Sequence, residues 1–302
     1  MRLRTPRLDF IVIGAQKAGT TSLWRYLQDN EAVRMPPDKE ASFFSEPAYP
    51  ADLRGYLRAL FRDAPRGAML GTVTPVYMHG TPGAPVPVIA ERIRETAPSV
   101  KLIALLRDPV ARAFSAHRMM SRRGADSRSF DEAIGELLGP EQLDHARAMP
   151  DETNSYIVAG EYGRMLAAYL ERFGRDQLLV VLSAELARSP AAVVARVCRF
   201  LGVEPHTPGE AGRRFYAGGP PLLPRDAERD LKDYLEQNVW PRLRHAEQHR
   251  ERFRQWFELW NVVPEPPSSG VADETAATLR AHYEEDASLL AEAIGVRVPH
   301  GV

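Results

Sequence analysis

The segment FIVIGAQKAGTTSL, residues 10–23, constrains the fold more than any other part of this 302-residue chain. Its first five residues are typical of a buried strand, and a helical pattern with Leu23 and Leu27 one turn apart follows from about Thr20. A glycine-containing loop between a strand and a helix start favours anion binding, because backbone N–H groups meet there at the positive end of the helix dipole. We therefore predict an α/β fold with an anion site after this strand.

Strand-like and helix-like patterns alternate through the first two thirds of the chain. VKLIALL (100–106) and QLLVVLS (177–183) predict further buried strands, each followed by a helical pattern. The helix after residue 106 has Asp108 as a suitable N-cap, Pro109 at its first position and Gly124 as its stop. This alternation predicts a three-layer P-loop-type α/β domain with a central parallel sheet and additional C-terminal helices.

We predict that residues 1–302 form a single domain, with a core over 8–203 and a covering region of loops and helices over 204–302. The covering region begins with a stretch rich in proline and glycine. Within it, the loop 208–224 carries four residues suited to a basic, stacking lid: Arg213, Arg214, Phe215 and Tyr216. An exposed connection fits the same composition, and the sequence does not decide between the two.

Composition excludes several classes of partner and location. The net charge of −1 gives no global field for nucleic acid, so an anion site has to be local. No stretch approaches the roughly 20 apolar residues of a membrane span, and we therefore predict no membrane span and a cytoplasmic location. The single cysteine, Cys198, falls on the apolar face of a helical pattern and is predicted to be a buried thiol. The oligomeric state is not predicted.

The loop departs from the phosphate loop of nucleotide triphosphatases, which reads G-x-x-x-x-G-K followed by Ser or Thr. Gly14 and Gly19 keep the separation, but Thr20 occupies the lysine position and the lysine lies inside the loop as Lys17. Backbone N–H groups, three hydroxyls and one full positive charge are therefore available to an anion. The predicted ligand-binding residues are Lys17, Ala18, Gly19, Thr20, Thr21 and Ser22.

Two segments together resemble the sulfotransferases that use 3′-phosphoadenosine 5′-phosphosulfate (PAPS). GAQKAGTTSL (14–23) is similar to their 5′-phosphosulfate loop, and LIALLRDPVARAFSAH (102–117) is similar to their 3′-phosphate motif, R-D/N-P-x-x-R-A-x-S after a strand. The resemblance implies that Lys17 faces the oxygen bridging phosphate and sulfate, while Arg107 and Ser115 hold the 3′-phosphate. It implies PAPS as cofactor and 3′,5′-ADP as product. An arginine leaving a strand end suits a phosphate, which it can bind with two nitrogens.

A third segment, PPDKEASFFSEP (36–47), resembles the K-E-x-x-F-F segment of the Golgi heparan sulfate sulfotransferases. The resemblance places the catalytic base on Glu40 and Lys39 beside it on the acceptor side. Phe43 and Phe44 would give apolar support, because a carboxylate needs apolar surroundings for a useful proton affinity.

A fourth segment, GTVTPVYMHG (71–80), resembles the family's K-T-P-x-Y segment near the acceptor. The resemblance implies that Thr74 and Tyr77 lie in the acceptor site, and His79 is a further candidate there. Val73 stands where relatives of the heparan sulfate type carry a lysine. This departure weakens the case for a second catalytic lysine and for a strongly anionic glycan acceptor.

The sequence thus predicts a sulfotransferase that moves a sulfuryl group to a hydroxyl or amine of a sugar, lipid or secondary metabolite, so its partner is a small-molecule or glycan acceptor. No metal is predicted, because no His, Cys, Asp and Glu residues have ligand spacing. One alternative is a P-loop small-molecule kinase using ATP, which needs lysine at position 20 and a carboxylate for Mg²⁺, with Asp108 the candidate. Another is a catalytically silent nucleotide-binding protein.

Overall fold

A computed structural model of the chain describes residues 7–36, 39–46, 49, 52–209, 223, 225–243, 246, 250, 253, 257 and 270–299. Its centre is a five-stranded parallel sheet in the order β2-β3-β1-β4-β5. The strands are β1 (Phe10–Gly14), β2 (Val33–Arg34), β3 (Met69–Val73), β4 (Lys101–Leu106) and β5 (Leu178–Leu182). The predicted α/β fold with a parallel central sheet is confirmed.

Helices flank this sheet. The α-helices of the described residues are α1 (Thr20–Gln28), α2 (Leu53–Leu60), α3 (Val76–His79), α4 (Val86–Thr96), α5 (Pro109–Arg122), α6 (Phe130–Leu137), α7 (Pro140–Ala148), α8 (Tyr162–Leu170), α9 (Ser183–Arg188), α10 (Pro190–Leu201), α11 (Arg225–Asn238) and α12 (Asp273–Ile294). Short 3₁₀ helices lie at Ser42–Ser45, Val158–Gly160, Arg175–Gln177 and Trp240–Arg242. The strands and helices predicted around residues 10–28, 100–122 and 177–201 are all present.

The central strand β1 is buried along its whole length, as its apolar sequence requires. Phe10 lies opposite Gly71 on β3 and Lys101 on β4. A Cβ atom at position 71 would lie 2.1 Å from the Phe10 ring, so only glycine fits beside that ring. Because β3 and β4 flank β1 in a parallel sheet, the loops after these three strands leave the same edge, where ligands bind in open α/β sheets.

The described residues form two compact units, one of residues 1–213 and 271–302 and one of residues 214–270. In the first unit, the C-terminal helix α12 packs on α8. The carboxylate of Asp286 accepts hydrogen bonds from the backbone N–H groups of Gly163 and Arg164, each at 2.8 Å, and so binds the first turn of α8. A Cβ atom at Gly163 would lie 2.3 Å from the Asp286 carbonyl oxygen, so the contact requires glycine. Helix α12, which belongs to the predicted covering region, is therefore part of the same unit as the sheet.

The second unit contains α11 and the 3₁₀ turn at Trp240–Arg242. Pro241 lies in that turn, after the end of α11 at Asn238. The Trp240 ring centroid is 5.7 Å from that of Phe253, which stacks on Phe257 at 5.4 Å. These three aromatic rings therefore pack together within the described part of the unit. The assignment of all 302 residues to a single domain remains a prediction.

Candidate active site

The loop after β1 has the backbone geometry that the anion-site prediction requires. Gly19 precedes α1 with a φ of 97°, in the left-handed region that glycine adopts freely. Lys17 also has a positive φ, 68°, which is uncommon for a residue with a side chain. No acidic residue lies in the first turn of α1. The positive end of α1 therefore faces the loop without an opposing carboxylate of its own helix.

The predicted loop residues lie together at this turn. Ala18 and Thr20 are buried, and Thr21 and Ser22 are half-buried on the first turn of α1. The Lys17 side chain is half-buried, with its Nζ 3.7 Å from the Sδ of Met119 on α5. The contact brings the loop lysine to α5, the helix of the second predicted phosphate motif.

The electrostatic environment of Lys17 is strongly positive. Burial lowers the pKa of Lys17 to about 8, and the charges of neighbouring cations lower that pKa as well. In order of effect, these neighbours are Arg122, Arg107, Arg123 and Lys39. Like charges gathered in a partly desolvated place oppose folding, but they stabilise a bound anion.

Arg107 follows β4 directly and is held from two sides. Its Nη1 donates to the carbonyl oxygen of Lys17 at 3.2 Å, and its own carbonyl oxygen accepts from the Tyr162 hydroxyl at 2.9 Å. The Asp108 carboxylate caps α5 by accepting from the Ala111 N–H at 2.7 Å. The structure therefore joins the arginine of the second motif to the loop of the first, and the predicted N-cap role of Asp108 is confirmed.

Ser115 is half-buried and lies two turns into α5. It precedes Met119 by four residues, which puts both on one face of the helix. Since Met119 contacts the Lys17 amine, Ser115 lies on the α5 face that the loop lysine reaches. Arg107 therefore contacts the loop directly, and Ser115 lies on the helix that follows Arg107.

The segment with the candidate base lies beside the same loop. Lys39 Nζ is 3.0 Å from Glu40 Oε1 and donates to Thr21 Oγ1 at 3.3 Å. The Glu40 side chain is 53% exposed, whereas that of Lys39 is 20% exposed. The apolar surroundings predicted for the carboxylate are therefore not found. Phe43 and Phe44 turn into the core instead, where burial of their large rings stabilises the segment.

Thr74 and Tyr77 are brought near this segment. Both are buried, and their hydroxyls hydrogen-bond the backbone of Ala41 and Phe44. Both hydroxyls are thus engaged by the backbone of the Glu40 segment, and their contact with an acceptor stays a prediction. Val73 is buried in β3, where a lysine would be costly.

His79 ends the short helix α3 and is half-buried. Burial lowers the pKa of His79 to about 4, and the charge of Arg112 contributes to the decrease. The imidazole is therefore neutral at neutral pH. Arg112 itself is buried; its Nη2 donates to the carbonyl oxygen of Tyr156, and its buried Nε has no hydrogen-bond partner among the described residues.

Sequence reasoning missed Arg122 and Arg123 as neighbours of the loop lysine. The signal was present, because Arg122 follows Ser115 by seven residues and Met119 by three, so the three share one helix face. Arg123 is paired in part with Glu152, at 3.1 Å between Nη1 and Oε2. The positive patch thus extends along α5 beyond the predicted motif.

Some predictions fall outside what the structure describes. Most of the predicted lid 208–224, including residues 213–216, lies outside the described residues. Cys198 is buried, as predicted. Within the described part of the chain, no group of three His, Cys, Asp or Glu side chains is placed to hold a metal ion. The helices described there include none with the length and apolarity needed to cross a membrane.

Comparison with known proteins finds similarity to sulfotransferases. A model of the sulfotransferase family matches residues 87–208, which include β4, Arg107 and α5. The chain is 31% identical over 208 residues to the human bifunctional heparan sulfate N-deacetylase/N-sulfotransferase 3, covering 65% of this chain and 22% of that protein. It is 30% identical over 194 residues to the heparan sulfate glucosamine 3-O-sulfotransferase 3B1 of Mus musculus, covering 64% of this chain and 46% of that protein. The chain therefore spans less than half the length of either relative.

A solved structure matches over nearly the whole chain. The crystal structure of a sulfotransferase from Alicyclobacillus acidocaldarius superposes with a TM-score of 0.67 at 25% sequence identity. The match covers 97% of this chain and 98% of that one.

Proposed function

We propose that the chain, which is similar to sulfotransferases in sequence and fold, transfers a sulfuryl group from PAPS to an acceptor hydroxyl or amine and releases 3′,5′-ADP. One observation carries the proposal: the hydrogen bond from Arg107 to the Lys17 carbonyl joins the two predicted phosphate sites at one edge of the sheet. Two anionic groups of a single ligand then fit two neighbouring basic sites. The proposed acceptor is a sugar, a lipid or a secondary metabolite.

The residues at this edge fit such a donor chemically. PAPS supplies the sulfuryl group from its 5′-phosphosulfate and carries a second phosphate at the 3′ position of its ribose. The 5′ end fits the loop amides, the Thr20 to Ser22 hydroxyls and the Lys17 amine, since all of these are donors. The 3′-phosphate fits Arg107 and Ser115. The gathered positive charge, which lowers the pKa of Lys17, is favourable only when anions are bound there.

The chain's own groups have distinct roles in this proposal. Lys17 and the loop amides neutralise negative charge that develops on the leaving 5′-phosphate. Arg107 and Ser115 orient the donor at a distance from the reacting atoms. Glu40 takes the proton of the acceptor, and an acceptor seated over its exposed carboxylate would supply the desolvation that a base requires.

Lys39 connects the donor and acceptor sides. Its amine contacts Thr21 of the donor loop and Glu40 at the same time. It therefore holds the carboxylate close to the sulfuryl group's expected position. The heparan sulfate relatives favour a glycan acceptor, but Val73 provides no charge for a strongly anionic one. The acceptor class and a cytoplasmic location remain predictions.

The test is transfer of label from ³⁵S-PAPS to a panel of three probe acceptors: desulfated heparan sulfate, a long-chain alcohol and p-nitrophenol. Labelling of one probe, with stoichiometric 3′,5′-ADP, supports the proposal and supplies the acceptor for the experiments below. A protein that binds 3′,5′-ADP but transfers label from PAPS to none of the probes would instead support the catalytically silent nucleotide-binding alternative.

Replacing Arg107 by alanine is expected to weaken binding of 3′,5′-ADP by about 2–3 kcal/mol, the scale of a charged hydrogen-bond pair. Binding of 5′-AMP should change much less, because it lacks the 3′-phosphate. Titration calorimetry with both ligands measures the difference. Arg94→Ala, which removes an exposed arginine from α4, is the matched control. Equal losses for the two ligands would contradict the assignment of Arg107.

Turnover is expected to persist in EDTA. The ATP-kinase alternative needs a lysine at position 20 and a Mg²⁺ carboxylate, whereas Thr20 stands there and Asp108 is engaged as an N-cap. The measurement is ³⁵S transfer before and after chelation, with ATP tested in place of PAPS. Loss of activity in EDTA and its recovery with Mg²⁺ would favour the kinase.

A further inference from the structure

The segment that carries Glu40 is fixed by side chains from other parts of the fold. Both backbone polar groups of Ala41, the next residue, are engaged. Its N–H donates to Thr74 Oγ1 at 3.2 Å, and its carbonyl oxygen accepts from the Thr74 hydroxyl at 3.3 Å and from the Tyr77 hydroxyl. The Phe44 N–H donates to the Tyr77 hydroxyl oxygen at 3.1 Å. Two hydroxyls thus fix the backbone on the C-terminal side of the candidate base.

These two hydroxyls are themselves held by the core. The Thr74 N–H donates to the carbonyl oxygen of Val12 on β1 at 2.9 Å, and the Tyr77 carbonyl oxygen accepts from the Tyr169 hydroxyl at 2.6 Å. Thr74 is 0% exposed and Tyr77 is 1% exposed. Ala41 is therefore connected through Thr74 to the central strand, whose end continues into the donor loop. Thr74 and β1 thus connect the backbone beside Glu40 to the loop that is proposed to bind the leaving 5′-phosphate.

The rest of the segment is tied down in the same way. The Thr81 hydroxyl donates to the Ser45 carbonyl oxygen at 2.9 Å, and Arg92 Nη1 donates to the carbonyl oxygens of Phe44 and Glu46 at 2.9 and 2.8 Å. The Glu40 carboxylate, by contrast, is exposed and contacts Lys39. The location of the Glu40 carboxylate therefore depends on the position of the segment's backbone.

We propose that Thr74 and Tyr77 are positioning residues, which act through the Ala41 backbone to hold Glu40 where it can take the acceptor proton. The inference rests on the proposed function. The competing explanation is that the hydroxyls only satisfy buried backbone groups, as any buried N–H or carbonyl requires. That explanation predicts a loss of stability alone, whereas positioning predicts a loss of rate. A displacement of about 1 Å in a reacting group can cost on the order of 100-fold in rate.

The variants are Thr74→Val and Tyr77→Phe, which remove one hydroxyl each and nearly preserve shape. Thr74→Ser restores the hydroxyl and is the rescue variant. Tyr283→Phe is the matched control, because the Tyr283 hydroxyl is also buried and donates to a backbone carbonyl, that of Ile157 at 2.9 Å. For each, we measure Tm, the Kd for 3′,5′-ADP and single-turnover transfer from ³⁵S-PAPS to the probe that the wild type labels.

Thr74→Val and Tyr77→Phe are expected to lower the single-turnover rate by about 10- to 100-fold while the Kd for 3′,5′-ADP stays within about twofold. Thr74→Ser should keep most of the rate, and Tyr283→Phe should lose Tm without losing rate. In a Glu40→Gln background the Thr74→Val effect should largely vanish, because the group being positioned no longer takes a proton.

The inference would be overturned if Thr74→Val and Tyr77→Phe both kept a single-turnover rate as high as that of Tyr283→Phe. It would also be overturned if the rate losses of Thr74→Val and Glu40→Gln added in full in the double variant. If Thr74→Val does not fold, Tyr77→Phe decides on the same criteria. The proposed function fails separately, through a wild type that neither binds 3′,5′-ADP nor transfers label.

Discussion

Replacing Glu40 by glutamine is expected to lower kcat for sulfuryl transfer by about 10²–10⁴-fold, the usual contribution of general-base catalysis. An acceptor hydroxyl is a poor nucleophile while it keeps its proton. Glutamine retains the size of glutamate but cannot take that proton. Affinity for 3′,5′-ADP should survive, because the donor site consists of the loop, Arg107 and Ser115. Single-turnover transfer beside a binding isotherm separates the two effects.

The matched control for this variant is Glu46→Gln, which neutralises an exposed glutamate in the same segment. It should leave kcat and binding nearly unchanged. A near-normal single-turnover rate for Glu40→Gln would place the base elsewhere. His79 would then be tested before His117, because His117 is buried and its Nε2 is 2.9 Å from the Arg128 carbonyl oxygen.

The features of the site that the sequence predicts are those fixed by local geometry. The loop from Gly14 to Gly19 joins a strand to a helix within a few residues, so its backbone direction follows from the sequence between them. The same holds for Arg107, which leaves β4 one residue before a helix with Asp108 as its cap. Neither prediction required knowledge of which strands are neighbours.

Contacts between distant segments were not predictable in this way. Thr74 and Ala41 are 33 residues apart, and they follow two strands, β3 and β2, that are neighbours in the sheet. The strand β3 itself was missed, because MLGTV is short and contains Gly71, a residue that weakens a strand unless a neighbour needs the space. Phe10 needs that space. The role of Thr74 therefore became visible only from the tertiary structure.

The exposure of Glu40 illustrates a second limit. The K-E-x-x-F-F resemblance fixes the order of residues, but not the direction of each side chain. Phe43 and Phe44 gain burial by turning inward, and the charged pair before them gains hydration by turning outward. The hydrophobic pattern of the sequence predicted that the two phenylalanines are buried, but it did not determine the direction of the charged pair.

The affinity for 3′,5′-ADP is expected to fall by up to about tenfold per pH unit as the pH rises from about 8 to about 10, as linkage requires when one proton is taken up on binding. Burial and neighbouring cations lower the pKa of Lys17 to about 8 in the free protein. A bound phosphate favours the charged amine and raises that pKa in the complex. The full affinity is therefore present below pH 8 and is lost as the free protein loses the Lys17 proton.

The ligand does not contribute to this pH dependence, because a phosphate monoester with a second pKa of about 6 is fully ionised above pH 8. Lys17→Met should bind 3′,5′-ADP more weakly at pH 7 and show no such slope, whereas Lys232→Met, an exposed lysine paired with Glu228, should keep the wild-type slope. Calorimetry in two buffers of different ionisation enthalpy measures the proton uptake directly. Wild-type protein that takes up no proton near pH 9, or Lys17→Met with an unchanged slope, would show that Lys17 does not meet the anion. Such a result would remove Lys17 from the leaving-group side of the proposed reaction, since an amine that neutralises the 5′-phosphate must sense its charge.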